Sequence, residues 1–586
     1  MSEPALLLVS QDSEREARRV ARVLQFFGIR SRALAAGDFA VADGANPSQP
    51  DKVRIVCSAT GFLEAAAAWK ENPDWKYAWA RSVHSVFIHL ADDADANRNL
   101  AQMLSAAQSL EIRELAGRAL DLVVSDRMTD FCGPLSGIRT TAKGAARTNL
   151  MLTVGSSGDN IISAPGGAIF LKVEYQGVPV FLSTSREIID LDAELESQNF
   201  DVRQYFPMAV PLVLYIKWAF AHSCWTSPET NACLVIDDPV LKPRHGFVDF
   251  RELLGLMKRY DFTTNIAFIP WNWRRSSPEV VRFFKENPRN YSLSVHGCDH
   301  VRAEFGGSDR QHLYFKARQA LERIRRHEAI TGIRHDRVMV FPQGIFSEAA
   351  IDAIKRTDLI AAVNNDILLR EPHHRAITLA DMWTVAVMNY SAFAIFTRRY
   401  PWEGIENFAF DALLGKPAIA VIHHDYCSDH CARLIAFVER LNALKSKVIW
   451  RNLVDVVSRS YRLRQLTLDT TEVEMYAAML QLENFSGGRK RVLITRRESE
   501  PSAIREISDG FRLIPWMVQD GCIKFEIEVA AGERKSIHVK FHELGKDRQK
   551  QDTIAYLCQA MLRRYLCEIR DNYVTTTRMR LAQLLR

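Results

Sequence analysis

Two histidines four residues apart, His296 and His300 in "SVHGCDHVRAEF", follow an alternating apolar run. Alone that spacing is a weak signal, because histidine is often structural. It gains meaning if one cation is held from one turn of backbone, which requires a third ligand and a base elsewhere. "CLVIDDP" ends an apolar run in two adjacent carboxylates, Asp237 and Asp238. Successive side chains on a strand point to opposite sides, but at a strand's end the second can turn toward a cation while the first faces a substrate. The plain alternative is a cap or Asx-turn before Pro239. One Asp and two His form a ligand set for zinc or another divalent ion and leave positions open for water and substrate. Such an ion lowers the pKa of water toward about 7 and polarises a carbonyl oxygen. An uncoordinated carboxylate can then take the proton, and a general acid must serve the leaving amine. "AIAVIHHDYC" offers that acid in His423. A rival reading groups His423, His424, Asp425, Cys427, His430 and Cys431 as a structural zinc site, although no second Cys/His cluster completes a finger pattern. Cys427 and Cys431 read equally well as two positions on a buried helix face.

These residues need strands to present them. "ACLVIDD", "TTNIAFI", "YSLSVHG", "VMVFPQG", "LIAAVNN" and "AIAVIHH" alternate with helical stretches such as "DFRELLGLMKRY" and "QHLYFKARQALERIRRHEAI". Repeated strand-then-helix units imply parallel strands, and this many suggest a closed or nearly closed barrel with its chemistry at the strand ends. The polar clusters indeed fall there. The long insertion "MNYSAFAIFTRRYPWEGIENFAF" reads as an interruption of the barrel, with Tyr400 and Trp402 as candidate sugar-stacking or packing aromatics. The fold class expected is α/β: a distorted (β/α) barrel over residues 226–465, preceded by a doubly wound, Rossmann-like α/β domain (1–125) and an accessory α/β region (126–225). A small antiparallel β-sandwich (466–550) and a basic helical tail (551–586) follow, the tail being a candidate contact for a homo-oligomer. The first strand is not followed by G-x-G-x-x-G, so nothing argues for a dinucleotide.

In order, "IDDP", "HGCDH", "FPQG" and "VIHH" resemble the motifs of the polysaccharide deacetylase family of metal-dependent carbohydrate esterases. The resemblance covers about 225 of 586 residues. It implies Asp237 as catalytic base and Asp238, His296 and His300 as ligands of a divalent metal, Zn2+ by preference. It implies His423 as general acid, Ile422 as a wall of the acetyl pocket, and the backbone N–H of Gln343 as an oxyanion donor. There are departures. Pro239 stands where Gly is usual, and Gly297 replaces a Ser or Thr whose hydroxyl could brace the metal loop. The third motif lacks its arginine before Pro342, and Arg337 lies off register. Without that cation, the pKa of Asp237 is expected to be less depressed than in relatives.

The remaining numbers exclude more than they assign. A net charge of +6 over 586 residues is too small for a nucleic-acid footprint. The start has no basic region before a long apolar core, and "FPMAVPLVLYIKWAFAHSCW" is short and interrupted, so no signal and no transmembrane segment are expected. Ten scattered cysteines then suggest reduced thiols and a cytoplasmic setting. The function expected is removal of an N-acetyl or similar acyl group from an amino sugar or glycoconjugate. The alternatives are hydrolysis of another small C–N bond, as in allantoinase-like relatives, and a weakened domain that binds glycans or organises a complex.

Overall fold

A computed structural model describes residues 4–39, 52–70, 74–105, 109–114, 120–143, 150–155, 159–369, 376–545 and 553–578. The chain forms two compact units, residues 1–193 with 201–225, and residues 194–200 with 226–586.

The first unit is built on one eleven-stranded sheet. Ala5–Val9 lies between Ser31–Ala35 and Val53–Ser58, followed by Val83–His89 and Val178–Ser183, all parallel. Gly167–Tyr175 then begins an antiparallel half, so strands from either side of residue 125 share the sheet. The apolar stretch near its end forms the helix Val202–Ala219, largely buried and carrying Pro207 and Pro211. Among the described residues no helix is long and apolar enough to cross a membrane.

The second unit carries the site. Its strands are β1 (Thr230–Asp237), β2 (Thr264–Phe268), β3 (Tyr291–His296), β4 (His335–Val340), β5 (Ala361–Asn364), β6 (Ile395–Thr397), β7 (Ala418–Ile422) and β8 (Val448–Trp450). They pair in the order β6-β5-β4-β3-β2-β1-β7, with β8 added on β1, and every pair is parallel. A parallel sheet covered on both faces needs near-continuous apolar strands, and β1, β2, β3, β5 and β7 are buried almost throughout. The sheet curls into a partial (β/α) barrel. One parallel bridge, Arg399 with Ala420, links its two edge strands.

All six strands expected for the barrel are present. The stretch expected to interrupt it is not a plain insertion, because it contains β6. A three-residue strand leaves no readable period, so the aromatic residues around it dominated the reading.

Besides a two-stranded hairpin, Arg244–His245 with Val248–Asp249, this unit holds two further sheets. Arg462–Gln465, Thr470–Glu474, Lys490–Arg497, Cys522–Val529 and Trp516–Gln519 form one; Met479–Glu483, Arg534–Phe541 and Ile504–Ser508 form the other. Their apolar faces share one core cluster with the barrel residues Val338 and Val340. One pair departs from the antiparallel expectation: Thr470–Glu474 runs parallel to Lys490–Arg497. The tail forms a helix, Ile554–Ile569, which packs over the C-terminal ends of the barrel strands.

Candidate metal centre and active site

β1 ends at Asp237, opposite Ala267 of β2, and Asp238 turns out of the strand with φ +78°. That backbone region is uncommon outside glycine, but Asp tolerates it. β3 ends at His296, whose Nδ1 lies 2.9 Å from the Val340 carbonyl. Donation there fixes the proton on Nδ1 and leaves the Nε2 lone pair facing inward, as a metal ligand requires. His300 closes the following turn. The Asp238 Oδ1 atom lies 3.0 Å from His300 Nε2 and 3.4 Å from His296 Nε2. The ligand atoms of all three residues lie within 4.8 Å of one another. Oδ1 is buried, yet it makes no contact with hydrogen-bond geometry. A buried carboxylate oxygen facing two imidazoles without a hydrogen bond fits a site for a divalent cation.

Charge reinforces this geometry. Burial opposes ionisation of Asp238, but His300 and His296 outweigh it and hold the carboxyl well below the usual range. Burial lowers the pKa of His300 against the pull of Asp238. In His296, Asp238 and Asp237 overcome burial and raise it.

The glycine of the metal loop is a requirement. Gly297 has φ +61°, and a Cβ there would lie 2.4 Å from Pro342 Cγ and 2.7 Å from Glu304 Oε2. A Ser or Thr therefore does not fit, and Glu304 braces the loop instead. Its carboxylate accepts the backbone N–H groups of Cys298 (3.0 Å), Asp299 (2.7 Å) and His300 (3.1 Å). Replacing Glu304 by Gln leaves one acceptor oxygen and turns an NH2 toward N–H donors. Glu304→Gln is expected to weaken metal affinity by about 10–100-fold, measured by chelator competition; unchanged affinity would remove Glu304 from this role.

Asp237 is not short of a cation. Arg398, the residue after β6, donates from Nη1 and Nη2 to its two carboxylate oxygens, both at 2.7 Å. Arg398 Nε is held by Asn365 Oδ1 at 2.7 Å, which orients the fork. Burial alone would raise the Asp237 pKa; Arg398, with His296 and His423, outweighs it and holds the carboxyl below its ordinary value. The expectation that Asp237 lacks a neighbouring cation is therefore corrected: Arg398 supplies one from a different strand. Arg337 is elsewhere, its guanidinium 3.7 Å from Met479 Sδ.

His423 follows β7, half-buried, and lines two adjoining cavities of about 260 and 710 Å3 that both reach Asp238. Gln343 (φ +57°) lines the smaller, and its Oε1 accepts the Ala303 N–H at 3.3 Å. Ile422 is fully buried opposite Ile236 and lines neither cavity. Tyr400 and Trp402 stack at 4.2 Å between centroids on the wall of the larger cavity.

The rival cluster does not assemble. His430 is exposed beside Glu252, while His424 faces Asp571. Among the described residues the only other convergence of three such ligands is Cys298, Asp299 and Glu304. There Asp299 is engaged by Lys316, Arg323 and Tyr556, and Glu304 by its three N–H donors.

Three contributors were not assigned to the site from sequence: Glu304, Arg398 and the tail, which was read as a packing or oligomer contact. Glu304 stands inside "SVHGCDHVRAEF" and could have been suspected as a carboxylate close to a metal loop. Arg398 had only its position after a short apolar run to mark it.

Comparison with known proteins adds little. No protein-family profile matches the chain, and no curated protein matches it. Among solved structures, a chain assigned as a polysaccharide deacetylase from Mycobacterium smegmatis is 14% identical, spans 38% of this chain and 87% of its own, and has a TM-score of 0.27. A family 4 carbohydrate esterase from Streptomyces lividans in complex with acetate gives 12%, 37%, 87% and 0.22. A 4-alpha-glucanotransferase from Thermococcus litoralis scores similarly, at 9% identity, 38% of this chain, 39% of its own and 0.26.

Proposed function

We propose that the protein is a metal-dependent hydrolase that removes an N-acetyl or similar acyl group from an amino sugar or glycoconjugate. The observation that carries this reading is the convergence of Asp238, His296 and His300 at strand ends, beside a second carboxylate clamped by an arginine. A divalent ion held there, zinc by preference, supplies a Lewis acid for the acyl carbonyl and an acidified water.

The chain's own groups do the rest. Asp237 stays ionised beside Arg398 and accepts the proton of the attacking water. His423, which lines both cavities, gives a proton to the departing amine. In this reading the Gln343 backbone N–H meets charge developing on the acyl oxygen. Tyr400 and Trp402 offer a flat face on which a sugar ring can stack.

Metal analysis of the purified protein, followed by acetate release from acetylated saccharides, tests the reading. One divalent ion per chain is expected, lost in the double variant His296→Ala/His300→Ala. Stoichiometric metal in that variant sinks the assignment. His423→Ala is expected to keep the metal and lose about 10²–10⁴-fold in kcat. Full activity in that variant would take the acid role away from His423.

A further inference from the structure

The helix Ile554–Ile569 is inverted relative to an ordinary surface helix. Met561, Leu562, Tyr565, Leu566 and Ile569 are exposed, whereas Arg564 and Glu568 are turned to the barrel mouth. Arg564 is only 6% exposed and lines the smaller cavity with Asp238, His300, His423 and Gln343.

Asp238 and Glu304 act on its charge from a distance, but neither forms an ion pair with it. Arg564 Nη2 makes hydrogen-bond contacts with His300 Nδ1 at 3.3 Å and Cys567 Sγ at 3.5 Å, and Nε is buried without a hydrogen bond. Among the described residues no carboxylate pairs with it. The neighbouring cations are answered: Arg275 and Lys242 share Glu568, and Arg570 pairs with Asp571. Arg563, beside it on the same wall, also has a buried Nε without a partner. A buried guanidinium without a direct ion-pair partner is costly.

An anionic oxygen bound in the cavity would give Arg564 the ion-pair partner it lacks.

We propose that Arg564, supported by Arg563, is a specificity-determining residue that binds an anionic group, carboxylate or phosphate, on the substrate. The acyl-transfer reading is needed only for the other end of that substrate. A bidentate anion suits guanidinium geometry better than a neutral hydroxyl does.

The test measures binding separately from turnover. Calorimetry on the Asp237→Asn protein compares N-acetylglucosamine, N-acetylmuramic acid and N-acetylglucosamine 6-phosphate; the last two separate a carboxylate from a phosphate source. At least one anionic sugar is expected to bind about tenfold or more tighter than the neutral one, a gap of about 1.4 kcal/mol. Arg564→Gln, in the same background and with metal content and melting checked, should erase most of that gap, and Arg564→Lys should keep part of it.

Equal affinities for the three sugars, no anionic binding below about 1 mM, or a preference that survives Arg564→Gln overturns the proposal. Tighter binding of the neutral sugar in Arg564→Gln also overturns it and makes Arg564 a plug. An anion preference without acetate release by the wild type would leave this site standing and remove the hydrolase reading.

Discussion

Asp238→Asn is expected to purify without its divalent ion, and Asp237→Asn to keep the ion while losing about 10²–10⁴-fold in kcat. The two residues are adjacent and chemically identical, so only their placement separates them. Asp238 Oδ1 faces both imidazoles, at 3.0 and 3.4 Å, and replacing an anionic ligand by a neutral amide weakens the site at its centre. The loss should exceed the roughly 10–100-fold typical of removing an outer partner of a metal ligand. Asn is the substitution of choice because position 238 has φ +78°, a conformation Asn accepts more readily than Ala. Asp237 instead faces Arg398. Its amide keeps one acceptor for the guanidinium but cannot take a proton. Metal content and acetate release are measured on both proteins. A reversed result, with Asp237→Asn losing the ion and Asp238→Asn keeping it, exchanges the two roles. If neither substitution changes metal or turnover, "IDDP" is only a turn and the hydrolase reading fails with it.

The candidate site was legible where its residues close apolar strands, because a buried parallel strand announces itself as a continuous apolar run. β1, β3 and β7 are such strands, and Asp237, His296 and His423 stand at their ends. β6 is three residues long, so neither it nor the arginine that follows it could be read from period. The consequence was chemical: Asp237 was expected to lack a cation that Arg398 in fact provides. Gly297 was misjudged for a related reason. Sequence reading weighs the hydroxyl that a Ser would bring, while the fold weighs a positive φ and the approach of Pro342. Arg564 is 264 residues from His300 in sequence, and no local pattern reports a contact of that kind.

Arg398→Met is expected to displace the acid limb of the pH–rate profile to higher pH and to destabilise the fold by about 3–5 kcal/mol, the usual cost of removing one partner from a buried ion pair. Both partners are almost fully buried. Burial pushes the Asp237 carboxyl upward and Arg398 is the chief opposing influence. Without the guanidinium, burial gains weight and the carboxyl binds its proton more tightly. A base works only when ionised, so activity should fall off at a higher pH than in the wild type and recover partly as pH rises. Met retains the apolar stem of the side chain but neither the charge nor the fork, which separates charge loss from a packing defect. Arg398→Lys should sit between the two, keeping the charge but losing the two-point grip and the contact from Nε to Asn365. A double-mutant cycle with Asp237→Asn locates the effect. If Asp237 and Arg398 act as a pair, the stability cost of Arg398→Met should shrink when position 237 is already neutral. Equal costs in both backgrounds, together with an acid limb that does not move, would mean that Arg398 only fills space and that Asp237 owes its ionisation to His296 and His423.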